Sequence, residues 1–351
     1  MSDRLAETIA RIGAPDDDAG REAQDLLDAK TKPRRSLGRL EELACRIAAI
    51  RGHARPDFEP AIVVVAADHG IAAEGVSAYP QEVTAQMVAN FVAGGAAINV
   101  LARRAGARLV VVDAGVATPI AEGPVRALRL GAGTVSFASG PAMSRDQAVA
   151  GIVAGIELAD ELAADGVDLL GIGEMGIGNT TSASALAAVL LGVDAASVCG
   201  RGTGLDDDGL ARKVETIRRA LALQAPDTAD PLGVLAAVGG FEIAVLAGLV
   251  LGAAANRLPV LLDGFITGAA ALVAVGLAPA AAGSLIAAHR SPEPGHAPIL
   301  AELGLDPLLD PGLRLGEGSG AALALPIVAA SLAVLGEMAT FESAGVSDAG
   351  R

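Results

Sequence analysis

Two glutamates lie in glycine-rich segments that suit acid–base chemistry. Glu174 stands within LLGIGEMGIGNTT (169–181), and Glu317 stands between two glycines at the start of a long apolar segment. A carboxylate that loses hydration in apolar surroundings has a raised pKa and can act as a general base near neutral pH. A glutamate at a helix start would instead have its pKa lowered by the helix dipole. Both interpretations of Glu317 remain open at this point.

The residues after Glu174 predict an anion site. Gly176, Gly178, Asn179 and Thr180 precede an Ala/Ser-rich segment that is typical of a helix. The start of such a helix offers free backbone N–H groups and the positive end of the helix dipole, which suits a phosphate. The alternative is a glycine turn that serves only tight packing of a strand against a helix.

A dinucleotide fingerprint overlaps the same segment. Gly171, Gly173 and Gly176 match G-x-G-x-x-G after a predicted strand, and Asp194 follows at about the distance of a ribose-binding acid. An NAD-dependent oxidoreductase is therefore the alternative function.

A second glycine-rich loop contains Gly202 and Gly204 and leads into another predicted helix. Asp206 to Asp208 are typical residues of a helix start. Lys213 follows on that helix and could supply positive charge to a phosphate, although a lone helical lysine is more often solvated.

The composition excludes several classes of function. The chain has 351 residues, with 26 Lys and Arg against 41 Asp and Glu and a net charge of −15, which argues against nucleic-acid binding. Its four histidines lack metal-binding spacing, and its two cysteines are too few for a disulfide scaffold. Together with an acidic start that lacks an apolar signal core, this predicts a cytoplasmic protein without a metal centre.

Hydropathy raises the alternative of a membrane carrier. The mean hydropathy is +0.49, and the stretches 265–288 and 318–336 carry no charge. Pro279 and Pro326 interrupt these stretches, and no Trp or Tyr belt flanks them. Buried elements of a large α/β core give the same signal and are the favoured interpretation.

The predicted elements alternate between strands and helices. Continuous apolar runs predict buried strands at 61–68, 108–116, 167–176 and 258–265, with a further strand within 283–295. This order indicates a parallel sheet with helices on both faces and a ligand site at the carboxyl ends of the strands. Residues 1–52 are predicted to be helical, and the tail 345–351 to be disordered.

Taken together, the segments resemble the nicotinate-nucleotide:5,6-dimethylbenzimidazole phosphoribosyltransferase family of cobalamin biosynthesis. The resemblance covers about nine-tenths of the chain, in order. It rests on KPRRSLGRLEELA (32–44), AADHGIAAEGVSAYPQEVTAQMV (66–88), GGAAINVLAR (94–103), GIGEMGIGNTTSASAL (171–186), GRGTGLDDDGLARK (200–213), LLDGFITGAAAL (261–272), HRSPEPGHAPIL (289–300) and LRLGEGSGAALALP (313–326). Arg34 and Arg35 depart from the smaller residues usual in the family.

The resemblance implies a Rossmann-like parallel sheet domain at 57–320 and a small helical domain formed by 1–56 and 321–351. It implies a homodimer with no metal or redox cofactor. It also implies transfer of the phosphoribosyl group of nicotinate mononucleotide to 5,6-dimethylbenzimidazole, giving α-ribazole 5′-phosphate and nicotinate.

The resemblance also assigns roles to the residues. It implies that Glu317 is the catalytic base and Glu174 a second catalytic carboxylate. The residues implied to hold the phosphate and ribose are Gly176, Gly178, Asn179, Thr180, Gly202, Gly204, Lys213, Asp263 and Ser291. Those implied to line the pocket for the acceptor base are Ser77, Tyr79, Gln86 and Leu315.

Overall fold

A parallel sheet runs through the centre of the computed structural model, which describes residues 2–120 and 123–347. Its strands follow the order β3-β2-β1-β4-β5-β6, and every neighbouring pair is parallel. This order is that of a doubly wound Rossmann sheet, with its topological switch point between β1 and β4. The strands are β1 (Pro60–Ala67), β2 (Arg108–Gly115), β3 (Arg126–Ala127), β4 (Leu169–Met175), β5 (Val260–Leu262) and β6 (Leu285–Ala287).

Helices cover both faces of the sheet. In chain order they are α1 (Asp3–Arg11), α2 (Asp17–Asp28), α3 (Arg39–Arg51), α4 (Val83–Ala93), α5 (Ala97–Ala105), α6 (Arg145–Ala164), α7 (Asn179–Leu190), α8 (Ala195–Val198), α9 (Asp207–Gln224), α10 (Pro231–Val238), α11 (Phe241–Ala255), α12 (Phe265–Leu277), α13 (His296–Glu302), α14 (Ser319–Glu337) and α15 (Phe341–Ala344). Single 3₁₀ turns occupy Gly70–Glu74 and Pro279–Ser284.

The two faces of β1 belong to two hydrophobic cores. Ala61, Val63 and Val65 join the core formed with α6, α10, α11 and α12, whereas Ile62 and Val64 join the core formed with α3, α5 and α14. Successive side chains of a strand point to opposite faces, so a strand covered on both sides must be apolar throughout. This explains why β1 reads as one continuous apolar run.

The predicted parallel α/β sheet is confirmed. Each predicted strand overlaps an observed one, although β5 and β6 are only three residues long. Strand β3 was not predicted, because its two exposed residues carry no apolar pattern.

Both chain ends contribute to one side of the molecule. Helices α2 and α3 pack against each other and against α14, and their apolar residues share one core with those of α14. Helix α1 packs instead on α6 and α11. The division into 1–56 with 321–351 and 57–320 stays a prediction. Of the tail predicted to be disordered, residues 348–351 lie outside the described part.

Two helical segments are long and apolar enough to cross a membrane by length and composition. They are 83–105, which spans α4 and α5, and 319–337, which is α14. More than half of the apolar part of α14 is buried inside the protein. The other stretch singled out from the sequence, 265–288, divides into α12, a 3₁₀ turn and β6. Core helices of α/β proteins meet the same criteria, so these segments are weak evidence for a membrane.

Helices α6 and α11 cross with their backbones in direct contact, and glycines make this possible. A Cβ added at Gly155 would lie 2.0 Å from the carbonyl oxygen of Val245, and one added at Gly248 would lie 2.0 Å from that of Ile152. Only a residue without a side chain fits at such a crossing. The many glycines and few aromatic residues are therefore consistent with an aliphatic core built on close helix contacts.

We expect Gly248→Ala to lower the free energy of unfolding by about 2–3 kcal/mol, because the added methyl group must push α11 away from α6. Gly336→Ala is the matched control, since that helical glycine in α14 has nothing within 4 Å of an added Cβ. It should be neutral or stabilising by up to about 1 kcal/mol. Urea unfolding followed by circular dichroism measures both, and equal midpoints for the two variants would contradict the close crossing.

Candidate active site

A cleft opens at the carboxyl ends of β4, β5 and β6. Its walls come from the residues that follow these strands, from the loop before α9 and from the loop before α14. Of the predicted site residues, the cleft is lined by Glu174, Gly176, Asn179, Thr180, Gly202, Asp263, Ser291 and Leu315. The cleft lies at the edge of the sheet where parallel α/β proteins bind ligands.

Glu174 stands near the end of β4 with its carboxyl group buried against the cleft. Oε2 accepts a hydrogen bond from the side-chain amide of Asn179. A Cβ at Gly316 would lie 2.3 Å from Oε1, so only glycine fits there. Burial raises the pKa of Glu174 well above its ordinary value, and the negative charges of Asp263, Glu242 and Glu317 add to this.

Asp263 follows β5, and its side chain binds the backbone at the start of α14. Its carboxylate accepts hydrogen bonds from the backbone N–H groups of Gly320 at 2.6 Å, Gly318 at 3.1 Å and Ala321 at 3.2 Å. Burial raises the pKa of Asp263 to about 7, although these three donors act to lower it. The side chain therefore fixes the first turn of α14 against the end of β5.

Glu317 lies in the loop that Asp263 holds. Its φ of +64° is rare for a residue with a side chain, and its backbone N–H donates to the carbonyl oxygen of Glu174 at 3.2 Å. Among the described residues, Oε2 is buried without a hydrogen-bond partner. Burial raises the pKa of Glu317, the N–H of Ile98 in α5 opposes this, and the charge of Asp263 adds to it. This direction is the one that a general base requires.

Glu317 is not part of the cleft wall, although Gly316 and Leu315 beside it are. Its side chain is 5% exposed and lies beside the backbone N–H of Ile98 in the first turn of α5. Glu174 and Glu317 are thus joined through the backbone, with only Glu174 facing the cleft.

The segment Gly176–Thr180 forms the turn into α7. Gly178 is the N-cap with a φ of +97°, and Asn179 is the first helical residue. A Cβ at Gly176 would lie 2.4 Å from the carbonyl oxygen of Ala67 at the end of β1. The glycines allow close packing of the strand against the helix, and they also bring the N-terminus of α7 to the cleft.

Lys213 supports the cleft from behind. It is fully buried, and its Nζ donates to Oγ1 of Thr180 at 2.9 Å and to the carbonyl oxygen of Gly200 at 3.1 Å. Burial lowers its pKa. Lys213 is thus not solvated, as a lone helical lysine usually is, because its ammonium group ties the loop before α9 to α7. Its contact with a phosphate stays a prediction. Gly202 of that loop lines the cleft, whereas Gly204, with a φ of +120°, does not.

Several residues of the cleft wall were not among the predicted site residues. They include Thr203, Thr267, Glu293 and Arg314. Arg314 donates through Nη1 to the carbonyl oxygen of Gly202 at 3.4 Å, which brings a cation to the cleft. Its place in the motif LRLGEG, close to Glu317, was the signal that could have identified it.

Three of the residues predicted to bind the acceptor base lie outside this cleft. Ser77 and Tyr79 belong to the loop before α4, and Gln86 is on α4. Leu315 alone of that set lines the cleft. Tyr79 and Leu315 are each more than half exposed. Helix α4 approaches the cleft through Thr84, whose Oγ1 accepts from the N–H of Ile177 at 3.1 Å.

The fingerprint glycines do not form a dinucleotide-binding loop. Gly171 and Gly173 lie inside β4, and a Cβ at Gly173 would lie 2.1 Å from the backbone nitrogen of Gly318. Asp194 caps α8 and pairs with Arg218. A Rossmann fingerprint instead needs its glycines in the turn after the strand, facing the pyrophosphate.

Comparison with known proteins identifies the family. Residues 12–346 match the family described as "Phosphoribosyltransferase". The nicotinate-nucleotide–dimethylbenzimidazole phosphoribosyltransferase of Desulforudis audaxviator is 55% identical over 349 residues, covering 99% of each chain. The protein of the same name from Roseiflexus sp. strain RS-1 is 57% identical over 345 residues, covering 98% of each chain.

A solved structure is similar over nearly the whole chain. The crystal structure of CobT from Thermus thermophilus aligns with a TM-score of 0.90 at 48% identity, covering 94% of this chain and 99% of that one. None of these matches supports an oxidoreductase. The chain therefore belongs to the nicotinate-nucleotide–dimethylbenzimidazole phosphoribosyltransferase family and is a phosphoribosyltransferase.

Proposed function

We propose that this enzyme transfers the phosphoribosyl group of nicotinate mononucleotide to 5,6-dimethylbenzimidazole, with Glu317 as general base. The observation that carries the proposal is the pair of buried carboxyl groups, Glu174 and Glu317, linked by a backbone hydrogen bond beside the cleft. The names of the relatives in Desulforudis and Roseiflexus support the choice of both substrates.

The donor nucleotide would occupy the cleft. Its phosphate suits the N-terminus of α7 at Asn179 and Thr180, together with Gly202 and the guanidinium group of Arg314. Its ribose and nicotinate would lie near Asp263 and Ser291. Lys213 would then act through Thr180, which it holds, rather than by touching the phosphate.

Glu174 would stabilise positive charge on the donor. The bound pyridinium is cationic, and positive charge develops on the ribose as the bond from C1′ to the pyridine nitrogen breaks. A buried carboxylate beside such a charge lowers the free energy of the transition state. A cation in the cleft also favours the ionised form of Glu174, which opposes the effect of burial on its pKa.

Glu317 would remove the acceptor's proton. One nitrogen of the benzimidazole attacks C1′ with inversion as nicotinate leaves with the electrons of the broken bond, and the proton on the other nitrogen passes to Glu317. Nicotinate leaves as a neutral pyridine nitrogen, so no general acid is needed. The acceptor would bind between Glu317 and the side formed by Ser77, Tyr79 and Gln86, with Leu315 against it.

The proposed reaction has a direct test. Wild-type enzyme is incubated with nicotinate mononucleotide and a panel of bases, and the products are separated by chromatography. We expect equal amounts of nicotinate and an α-linked ribotide, with dimethylbenzimidazole among the accepted bases. Release of nicotinate that is independent of any base would contradict the transfer reaction.

We expect Glu317→Gln to lower kcat by a factor on the order of 10² to 10⁴ while the protein stays folded. The base must be ionised, and burial raises the pKa of Glu317 above 4.5. Wild-type kcat should therefore fall as the pH decreases through this raised pKa. In the variant, the decrease of kcat that results from protonation of Glu317 should be absent. Steady-state rates at saturating substrates across pH measure both effects.

Glu302→Gln is the matched control, because Glu302 is exposed near the end of α13. It should leave kcat and its pH profile unchanged. Near-normal turnover of Glu317→Gln at a saturating acceptor would show that another group takes the proton.

We propose further that two copies of the chain associate through α4, α5 and α14. The segment 83–105 is strongly apolar, yet only about a third of its most apolar part is buried. Apolar side chains remain exposed on all three helices, namely Val92, Val100, Leu323 and Ile327. Helix α5 packs on α14 and directly follows α4 in the chain, so we expect a single partner to cover these helices together. A second copy of the chain would bury this apolar surface, so that no membrane is needed to cover it.

We expect the wild-type protein to sediment at twice the mass of the 34.7 kDa chain. Val100→Asp should shift it to monomer at micromolar concentration while circular dichroism stays native, because a charge at an apolar interface is costly. Val135→Asp is the control, since Val135 is 61% exposed but lies outside these helices. A monomeric wild type, or a dimer unaffected by Val100→Asp, would refute this interface.

The place of action that we propose is the cytoplasm. Cys45 and Cys199 are both free thiols, which is typical of a reducing compartment.

A further inference from the structure

A buried chain of three polar side chains occupies the switch point between β1 and β4. Nε2 of His69, just after β1, lies 2.5 Å from Oε1 of Glu242 in the first turn of α11. Its Nδ1 lies 2.9 Å from Oγ of Ser182 in α7. All three side chains are fully buried. A carboxylate only accepts, so Nε2 carries a proton and donates to Glu242, while Nδ1 shares a hydrogen bond with the Ser182 hydroxyl.

The order serine–histidine–glutamate is that of a nucleophilic triad, but the surroundings exclude this role. A nucleophile must reach its substrate, whereas neither Ser182 nor His69 borders the cleft at the ends of β4, β5 and β6. Glycines close around the imidazole. An added Cβ would lie 3.4 Å from the ring at Gly176 and 2.3 Å from it at Gly240.

The imidazole lies at the place in the sheet where other folds of this strand order bind a ligand. Ligands of doubly wound sheets bind at the switch point, and His69 stands there at the end of β1. The cleft lies to one side of it, at the ends of β4, β5 and β6.

The same chain fixes the first turn of α7. The turn Gly176–Gly178 packs over the imidazole, and Ser182 anchors the helix one turn beyond Asn179. Asn179 in turn holds the carboxylate of Glu174. A displacement of this turn would therefore move both the N-terminus of α7 and the partner of Glu174.

We propose that His69 is a positioning residue that, by joining Ser182 to Glu242, sets the N-terminus of α7 at the distance required to bind the donor phosphate. This inference rests on the proposed function in one respect, the phosphate at α7. Neither His69 nor its two partners touches substrate.

The test is Ser182→Ala, which removes one contact and leaves the buried hydrogen bond between His69 and Glu242 intact. We expect the KM for nicotinate mononucleotide to rise about tenfold, the cost of one unsatisfied buried partner. The KM for dimethylbenzimidazole should change by less than about twofold, since α4 on the acceptor side meets the turn before α7 through a single hydrogen bond, from Ile177 to Thr84. Ser331→Ala is the control, because Ser331 is equally buried but lies in α14 and bonds only to the carbonyl oxygen of Val328.

A second pair of variants separates geometry from charge. Glu242→Gln keeps an oxygen that accepts from Nε2, so it should retain a nearly normal KM for the donor. Glu242→Leu removes the acceptor and should raise that KM at least as much as Ser182→Ala. Equal effects of both substitutions would show that charge, not position, is what Glu242 contributes.

Amide hydrogen exchange of the free protein provides a measurement that does not depend on the reaction. Exchange at 176–182 should rise in Ser182→Ala and not in Ser331→Ala. If wild type fails to bind nicotinate mononucleotide while this exchange pattern is seen, the proposed function fails and the positioning role stands. Unchanged exchange, or KM values for both substrates that rise together, would overturn the positioning role.

Discussion

The carboxylate of Asp263 is the constraint on which the site depends. It receives three backbone N–H groups from the first turn of α14, and in doing so fixes the loop that precedes this helix against the ends of β4 and β5. The backbone of Glu317 is thereby held on the carbonyl oxygen of Glu174, in a left-handed conformation that a free loop would rarely adopt. The N-terminus of a helix is a site for an anion, and here the protein supplies that anion itself.

Close backbone contact extends this constraint to the rest of the molecule. Gly316 leaves room for the carboxylate of Glu174, Gly173 for the backbone of Gly318, and Gly320 for the ring of His289. The crossing of α6 and α11, which lies away from the site, also depends on glycines that allow close backbone contact. A protein assembled through such contacts needs glycine and small aliphatic residues, and these also give it the hydropathy that resembles a membrane protein.

Much of the fold follows from sequence because its central strands are covered on both faces. A strand buried on both sides must be an unbroken apolar run, and β1 and β4 were recognisable for that reason. The two-residue β3 has no such pattern. The turn into α7 was recognisable because glycine, amide and hydroxyl residues concentrate there, and the motif around Glu317 identified the second glutamate.

Tertiary contacts account for the rest of the site. No local pattern distinguishes a buried lysine from a solvated one, and Lys213 is buried because α7 and the loop before α9 supply oxygen partners. His69 and Glu242 are far apart in sequence and meet only because α11 returns to the end of β1. Arg314 reaches the cleft through a loop whose course is set by Asp263.

The most direct measurement is a double-mutant cycle between Asp263→Asn and Glu317→Gln, read as kcat at saturating substrates. An asparagine oxygen still accepts some of the N–H groups of α14, while its amide group faces the others, so the loop loosens without losing its cap entirely. If Asp263 acts by positioning Glu317, Asp263→Asn should lower kcat in the wild-type background and have little further effect once Glu317 is glutamine. Effects that multiply in the double variant would contradict this dependence.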